Sequence, residues 1–346
     1  MHEKAEALKN IGVIGSGSWG TALANLLSEK GYHIDLWAYE KQVKQDIITH
    51  RENKLFLPGI KLPDKITPFN DLKKVVEKNK LILLVVPSHT MRSIAEKIAC
   101  CISGNTVLIT ASKGIEETTH LTMSAVIKEC IPDLTDDDIA VLSGPSFAKE
   151  VVKKVPTAIS VASKNIETAI YVQHVFATNY FRVYVNNDPI GVELGGAVKN
   201  VIAIAAGFVD GMGLGLNTRA AVITRGLAEI RRLGLQLGAN PHTFSGLSGV
   251  GDLILTCTGN LSRNYTVGRL LGEGTPLKEI IANRLTVAEG IKNTKSVYNL
   301  AKKLNIELPI INEVYNALYE NTTPKHAVKR LMTRKLGHET GELERN

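Results

Sequence analysis

The run Gly15-Ser16-Gly17-Ser18-Trp19-Gly20 constrains the fold more than any other feature of this chain, because of what flanks it. It follows the apolar run Ile11-Gly12-Val13-Ile14, which reads as a buried strand. It precedes Ala22, Leu23, Leu26 and Leu27, which share one face of a helix stopped at Gly31. Three glycines at this spacing between strand and helix have separate uses. Gly15 permits a tight turn, Gly17 lets a pyrophosphate approach the backbone, and Gly20 lets helix and strand pack closely. The sequence therefore predicts a dinucleotide-binding loop near the start of the chain.

The first half repeats the pattern. Apolar, β-branched runs recur at residues 34–37, 81–86, 106–110, 139–142, 157–161 and 180–185, separated by stretches of helix length. Strands this continuously apolar imply a parallel sheet covered on both faces. Asn186-Asn187-Asp188-Pro189 then makes a turn, after which the periodicity is helical. Ile310, Ile311, Val314, Tyr315 and Leu318 form one such face, and Thr323-Pro324 caps the next helix. The expected fold class is α/β: an N-terminal Rossmann-like doubly wound sheet over residues 1–188, followed by an all-α C-terminal domain over 189–340. Residues 338–346 are polar and expected to fray.

Composition narrows the partners. The chain of 346 residues carries 41 Lys+Arg against 34 Asp+Glu, a net charge of +7 that is scattered rather than clustered. That balance suits an anionic small molecule and argues against nucleic acid. Glu3, Glu6 and nearby lysines, with no apolar run, are wrong for a signal peptide, so a cytoplasmic location is expected. The most apolar stretch, 192–209, contains Glu193, Lys199 and Asn200, whose cost in lipid favours a buried helix over membrane insertion. Cys100, Cys101, Cys130 and Cys257 lack metal-ligand spacing and read as buried small hydrophobes, with no disulfide and no zinc. Histidines do not cluster, so neither a metal site nor a Ser-His-Asp triad is expected.

Several residues then offer chemistry. Glu40, after the second strand, is placed to hold a ribose 2′-hydroxyl, whereas Lys41 beside it suits a 2′-phosphate; NAD or NADP stays open, as does a role for both as surface charges. Val85-Val86-Pro87-Ser88, Thr110-Ala111-Ser112-Lys113-Gly114 and Ser143-Gly144-Pro145-Ser146-Phe147-Ala148 all lie at carboxyl ends of strands, where doubly wound sheets bind ligands. Spacing alone leaves open whether Lys113 faces a phosphate, a nicotinamide amide or water, and whether the Gly144 turn is an anion cradle or a plain connection. Lys199 is the most informative residue. It lies among small and apolar residues on every helical face, where desolvation would bring its proton affinity toward neutral pH, unless the side chain snorkels to solvent. Gly195-Gly196 permits a close approach by a ligand or another segment. Farther on, Asp252 follows a glycine-rich stretch and is placed to orient a lysine. Ser262-Arg263-Asn264 offers several donors to a phosphate, although a hinge with surface charges would look similar. Val287-Ala288-Glu289-Gly290 has no decisive chemistry of its own.

Taken together these motifs resemble the bacterial type of NAD(P)-dependent glycerol-3-phosphate dehydrogenase. The resemblance rests on residues 15–24, Val86-Pro87-Ser88-His89, Ser112-Lys113-Gly114, residues 142–148, Glu193-Leu194-Gly195-Gly196-Ala197-Val198-Lys199-Asn200, Gly251-Asp252-Leu253 and Ser262-Arg263-Asn264, in that order along nearly the whole chain. It implies reversible reduction of dihydroxyacetone phosphate to sn-glycerol 3-phosphate for phospholipid synthesis. By the same resemblance Lys199 is the proton donor and acceptor, and Lys113, Gly144, Ser146, Asp252, Ser262, Arg263 and Asn264 contact substrate. Ser18, Trp19, Lys113, Ala148, Arg263, Val287 and Glu289 contact the cofactor beside Gly15, Gly17 and Gly20. Tyr39 is also implied as a cofactor position; just after the second strand, where many relatives place a His or Arg, this chain has Tyr39-Glu40-Lys41, which leaves the choice between NAD and NADP undecided. The implied partner is a small phosphorylated substrate, and a homodimer is left open. A dehydrogenase for another small phosphorylated or hydroxy-acid substrate, or a dinucleotide sensor without need of Lys199, would share the first domain.

Overall fold

The computed structural model describes residues 8–282, 289–337 and 339. The expectations for Val287 and for most of the tail at 338–346 lie outside the described residues. The chain divides into two compact units, Met1–Glu116 with Leu121–Glu193, and Glu117–His120 with Leu194–Asn346.

The first unit is built on one sheet of eight strands in the order β3-β2-β1-β4-β5-β6-β7-β8. These are β1 (Asn10–Ile14), β2 (His33–Trp37), β3 (Ile66–Phe69), β4 (Leu81–Leu84), β5 (Val107–Thr110), β6 (Ile139–Ser143), β7 (Thr157–Ala162) and β8 (Phe181–Asn186). Side chains alternate across the pleat, so the central strands β1 and β4 each supply two cores. Ile11 and Val13 of β1 and Leu81 and Leu83 of β4 pack with Leu23, Leu27, Val172 and Phe176 from helices Ser18–Glu29 and Ile166–Phe176. Ile14, Ile82 and Leu84 face the opposite core, with Ile94, Ile98, Val126 and Ile127 from helices Met91–Ala99 and Met123–Cys130. Burial on both faces is why these strands read as unbroken apolar runs. The order reverses between β1 and β4, which makes the carboxyl ends of those strands a topological switch point.

Two expectations are corrected, and one strand was not expected. The sheet is not wholly parallel, because β6 and β7 pair antiparallel. Only the four-residue helix Ala148–Val151 lies between them, too little for a parallel crossover, and the chain turns back instead. The strand β3 escapes the sequence reading because Pro68 interrupts its apolar pattern; it is tolerated at the sheet edge, where β3 pairs with β2 alone. Of the four cysteines only Cys257 is buried, whereas Cys100 is exposed and Cys101 and Cys130 are half-buried. Cys100 and Cys101 lie just past the end of helix Met91–Ala99, where the chain leaves the core.

The described residues of the second unit contain helices and no strand. Its first helix begins within the first unit, at Pro189, and runs to Gly211. By length and composition this helix could cross a membrane, yet its apolar window is 100% buried inside the protein. Glu229 of helix Gly215–Gln236 is also buried, and its carboxylate accepts the N–H of Ile310 at 2.7 Å and of Ile311 at 3.1 Å. These are first-turn amides of helix Pro309–Tyr319, which have no intrahelical acceptor. Burial pushes the Glu229 carboxyl up to about 7, against the opposing effect of those two N–H groups. The folded state therefore binds the proton more tightly than the unfolded chain. The resulting stabilisation is full below about pH 4.5 and is lost as pH rises through about 7, on the order of 3 kcal/mol in total. Glu229→Gln should flatten the dependence of unfolding free energy on pH across that window, measured by denaturant titration at a series of pH values. A variant with the wild-type slope would show that Glu229 does not carry it.

Candidate active site

The glycine loop connects β1 to helix Ser18–Glu29 at the switch point. Gly15 has φ +118°, and a Cβ there would collide with the Val85 carbonyl; one at Gly20 would collide with the Gly15 carbonyl. These two glycines are demanded by the protein's own packing. Gly17 is different: its φ of −62° suits any residue, and a Cβ there would meet nothing within 4 Å. The room beside Gly17, at a helix start whose first amides lack intrahelical acceptors, is what a pyrophosphate needs. The loop thus fits a dinucleotide. Ser18 donates its hydroxyl to the Phe56 carbonyl at 2.6 Å, and Trp19 is half-buried against the core. Tyr39 is exposed, with its ring edge-on to Trp37 at 6.0 Å. Glu40 precedes helix Lys41–His50, and Lys41 is exposed.

Loops after β4, β5 and β6 are stitched together in the same unit. Ser112 accepts the Val86 N–H at 3.0 Å and donates to the Val86 carbonyl at 2.6 Å, fixing two neighbouring strand ends. Lys113 is half-buried and reaches the Gly144 carbonyl at 3.5 Å, to which the Ser146 hydroxyl donates at 3.0 Å. Gly144, at φ +145°, packs so closely on Ile159 that a Cβ would lie 2.8 Å from its Cα. Ala148 opens the short helix Ala148–Val151. The structure therefore brings Lys113, Gly144 and Ser146 to one place.

In the second unit, Lys199 is buried on helix Pro189–Gly211, and it does not snorkel. Its Nζ lies 2.5 Å from Asp252 Oδ1 and 2.8 Å from Thr256 Oγ1. Gly195, one turn before Lys199 on the same helix face, makes this possible: a Cβ there would collide with the Ser248 carbonyl. The turn Leu247–Gly251 can thus lie against the helix, and it leads directly into helix Asp252–Thr258. The close approach expected of the Gly195-Gly196 pair is a chain segment. Sequence reasoning named Asp252 but gave Thr256 no role. Its four-residue spacing from Asp252, which puts both on one helix face, was the available signal. The Thr256 hydroxyl donates to the Asp252 carbonyl at 2.6 Å, so it meets Lys199 as an acceptor. The next residue, Cys257, is buried and its thiol is pushed up to about 12 by burial, so it stays a neutral neighbour.

Ser262 caps helix Arg263–Gly272, its hydroxyl accepting the Tyr265 N–H at 3.2 Å. Arg263 is exposed, and Asn264 is buried with its Oδ1 accepting the Gly290 N–H at 3.0 Å. Glu289 opens helix Glu289–Lys303, next to Gly290. Asn264 and the start of that helix therefore meet, although neighbouring Val287 lies outside the described residues. Among the described residues no group of three or more His, Cys, Asp or Glu is arranged to hold a metal.

A dinucleotide loop at the switch point of a doubly wound sheet, followed by a helical unit with a buried lysine, defines the class of nicotinamide-dependent oxidoreductases of Rossmann type. The N-terminal family model described as NAD-dependent glycerol-3-phosphate dehydrogenase matches residues 10–169, and its C-terminal counterpart matches residues 188–329. The chain is 50% identical over 329 residues to the glycerol-3-phosphate dehydrogenase (NAD(P)+) of Syntrophobacter fumaroxidans, covering 95% of this chain and 97% of that protein. It is 51% identical over 328 residues to the enzyme of the same name from Citrifermentans bemidjiense, covering 95% and 98%. The crystal structure of glycerol-3-phosphate dehydrogenase from Coxiella burnetii superposes with a TM-score of 0.91 at 40% identity, over 94% of this chain and 99% of that one. The chain belongs to the NAD-dependent glycerol-3-phosphate dehydrogenase family. It is an oxidoreductase that uses NAD or NADP and acts on a small phosphorylated substrate.

The contrast among the three glycines has a measurable consequence. Gly17→Val should fold with a melting temperature near wild type, since a Cβ there meets nothing within 4 Å and the φ of −62° suits a side chain. It should weaken NADH binding at least about tenfold in a fluorescence titration, because the side chain takes the space of the pyrophosphate. Unchanged affinity would mean that the pyrophosphate lies elsewhere.

Proposed function

We propose that the enzyme reversibly reduces dihydroxyacetone phosphate to sn-glycerol 3-phosphate in the cytoplasm, supplying the backbone for glycerophospholipid synthesis, with Lys199 as proton donor and acceptor. The observation that supports this reading is the buried contact of Lys199 Nζ with Asp252 Oδ1 at 2.5 Å. A nicotinamide held at the Gly15–Gly20 loop would supply the hydride for C2 of the ketone, or take it up in the reverse direction. Lys199 Nζ gives its proton to the oxygen forming on C2 and takes it back when the alcohol is oxidised. Asp252 compensates the buried ammonium and fixes its direction, while the Thr256 oxygen occupies a second Nζ proton.

Arg263, Asn264 and Ser262 of the second unit are assigned to the substrate, with the planar guanidinium gripping the phosphate. Lys113, Gly144 and Ser146 of the first unit are assigned to it as well. Gly15, Gly17, Ser18, Trp19, Gly20, Tyr39, Lys113, Ala148, Arg263 and Glu289 are assigned to the cofactor. In this reading the dinucleotide-binding domain ends at residue 188, and the helical substrate-binding domain follows. A grip on the phosphate, remote from C2, supplies the orientation that the transfer requires.

Oxidation of NADH and of NADPH with dihydroxyacetone phosphate as the only ketone, followed by the loss of reduced-nicotinamide absorbance, tests the reaction directly, and no turnover with either would refute it. Lys199→Met should lower kcat by about 10²–10⁴ with NADH affinity retained. This variant also strands the Asp252 carboxylate in the interior, a loss of about 3–5 kcal/mol. The double variant Lys199→Met/Asp252→Asn should recover stability and not turnover. Near-normal kcat in either variant would remove Lys199 from the chemistry. Arg263→Ala should raise the KM for dihydroxyacetone phosphate about tenfold or more, as expected for a charge-assisted hydrogen bond of roughly 1.5–3 kcal/mol. An unchanged KM would take Arg263 out of the phosphate site.

A further inference from the structure

The glycine loop is held from below by a segment that sequence motifs did not mark. Residues 51–62 leave helix Lys41–His50 and return on themselves, closed by the Leu62 N–H donating to the Arg51 carbonyl at 2.7 Å. Inside this loop Asn53 is completely buried, and three contacts fix its amide. Its Nδ2 donates to the Ser16 carbonyl at 2.7 Å and to Thr21 Oγ1 at 2.8 Å, while its Oδ1 accepts the Phe56 N–H at 3.1 Å. Thr21 donates its own hydroxyl to the same Ser16 carbonyl at 3.1 Å. Ser18, on the other side of Gly17, donates to the Phe56 carbonyl at 2.6 Å.

These bonds act on one peptide plane. A trans peptide holds its C=O and N–H on opposite sides, so the orientation of the Ser16 carbonyl dictates that of the Gly17 N–H. With the carbonyl drawn inward by Asn53 and Thr21, the Gly17 N–H must point outward. No side chain at Gly17 restricts this plane, so without the two donors the peptide would be free to rotate and present a carbonyl oxygen to the ligand.

We propose that Asn53, acting through Thr21 and the Ser16 carbonyl, is a positioning residue that holds the Gly17 amide in the orientation that binds the anionic pyrophosphate of the dinucleotide. The inference rests on the glycine loop being the nucleotide site. It assigns to the segment 51–62 a function in cofactor affinity, by way of an interaction between residues 37 apart in sequence.

Asn53→Asp keeps the shape of the side chain and replaces both donors by an acceptor beside the Ser16 carbonyl. In cofactor-free protein, hydrogen exchange at the Gly17 and Ser18 amides should quicken. The Kd for NADH, measured by fluorescence titration without substrate, should rise about tenfold or more, and kcat at saturating NADH should stay within about threefold. Thr21→Ser, which keeps the hydroxyl, should retain the wild-type Kd. A folded Asn53→Asp protein with wild-type Kd and exchange overturns the proposal, as does one that loses only thermal stability. Should Asn53→Asp fail to fold, Thr21→Val removes one of the two donors to the Ser16 carbonyl; a rise in Kd supports the proposal and an unchanged Kd overturns it. Wild-type protein that binds neither NADH nor NADPH would sink the nucleotide reading itself, an outcome separate from a wild-type protein that binds and variants that bind equally well.

Discussion

An ammonium ion withdrawn from water must find a counter-charge and acceptors inside the protein, and the second unit is arranged to provide them for Lys199. The requirement reaches well beyond the ion pair. Asp252 arrives at Nζ because helix Asp252–Thr258 starts where the turn Leu247–Gly251 lies against the Lys199 helix, and that turn fits only because position 195 has no side chain. Thr256 is oriented in turn by the Asp252 carbonyl. The same helix carries Glu193, whose carboxylate accepts the Ser124 N–H at 2.8 Å and its hydroxyl at 2.5 Å within the first unit. Burial raises the Glu193 carboxyl above its ordinary range despite those donors. Both charges that made this helix a poor membrane segment are thus matched by polar partners, which is how so apolar a helix tolerates them.

In the first unit the governing constraint is close backbone approach. Gly15 and Gly20 are required because carbonyl groups occupy the places where their side chains would be, whereas Gly17 is required by nothing in the protein. In the proposed reading Gly17 is kept for the ligand, since a Cβ there would meet nothing within 4 Å. The proposed reading thus assigns packing and binding to different glycines of one motif, in the order that the spacing G-x-G-x-x-G between a strand and a helix predicts.

Much of the fold was legible because its signals are local. The β1 run, the glycine loop and the face made by Leu23 and Leu27 each lie within a few residues, and the structure places all of them as the periodicity suggests. Lys199 stood out because its helix is apolar on every side. What stayed hidden depends on contacts across the chain. The antiparallel β6–β7 pair follows from a connection too short for a crossover, and β3 is masked by a proline that only an edge permits. Asn53 is a lone asparagine in a turn until the fold sets its amide under Ser16. Cys100 and Cys101 were misjudged because small apolar residues near a helix end give no sign of where the chain leaves the core.

The proposed roles of Lys199 and Arg263 also explain why two cations of the same unit are treated so differently. A group that exchanges a proton with substrate benefits from a dry, fixed setting, where direction is set by partners and solvent does not compete. A group that captures a dianion from solution benefits from exposure, because a guanidinium already buried and paired would have to give up its partners first. Arg263 gains instead from its place at the start of a ten-residue helix, whose first amides have no intrahelical acceptors and whose dipole favours negative charge. Burial of one cation and exposure of the other are two answers to one electrostatic problem, set by whether the ligand must be transformed or merely held.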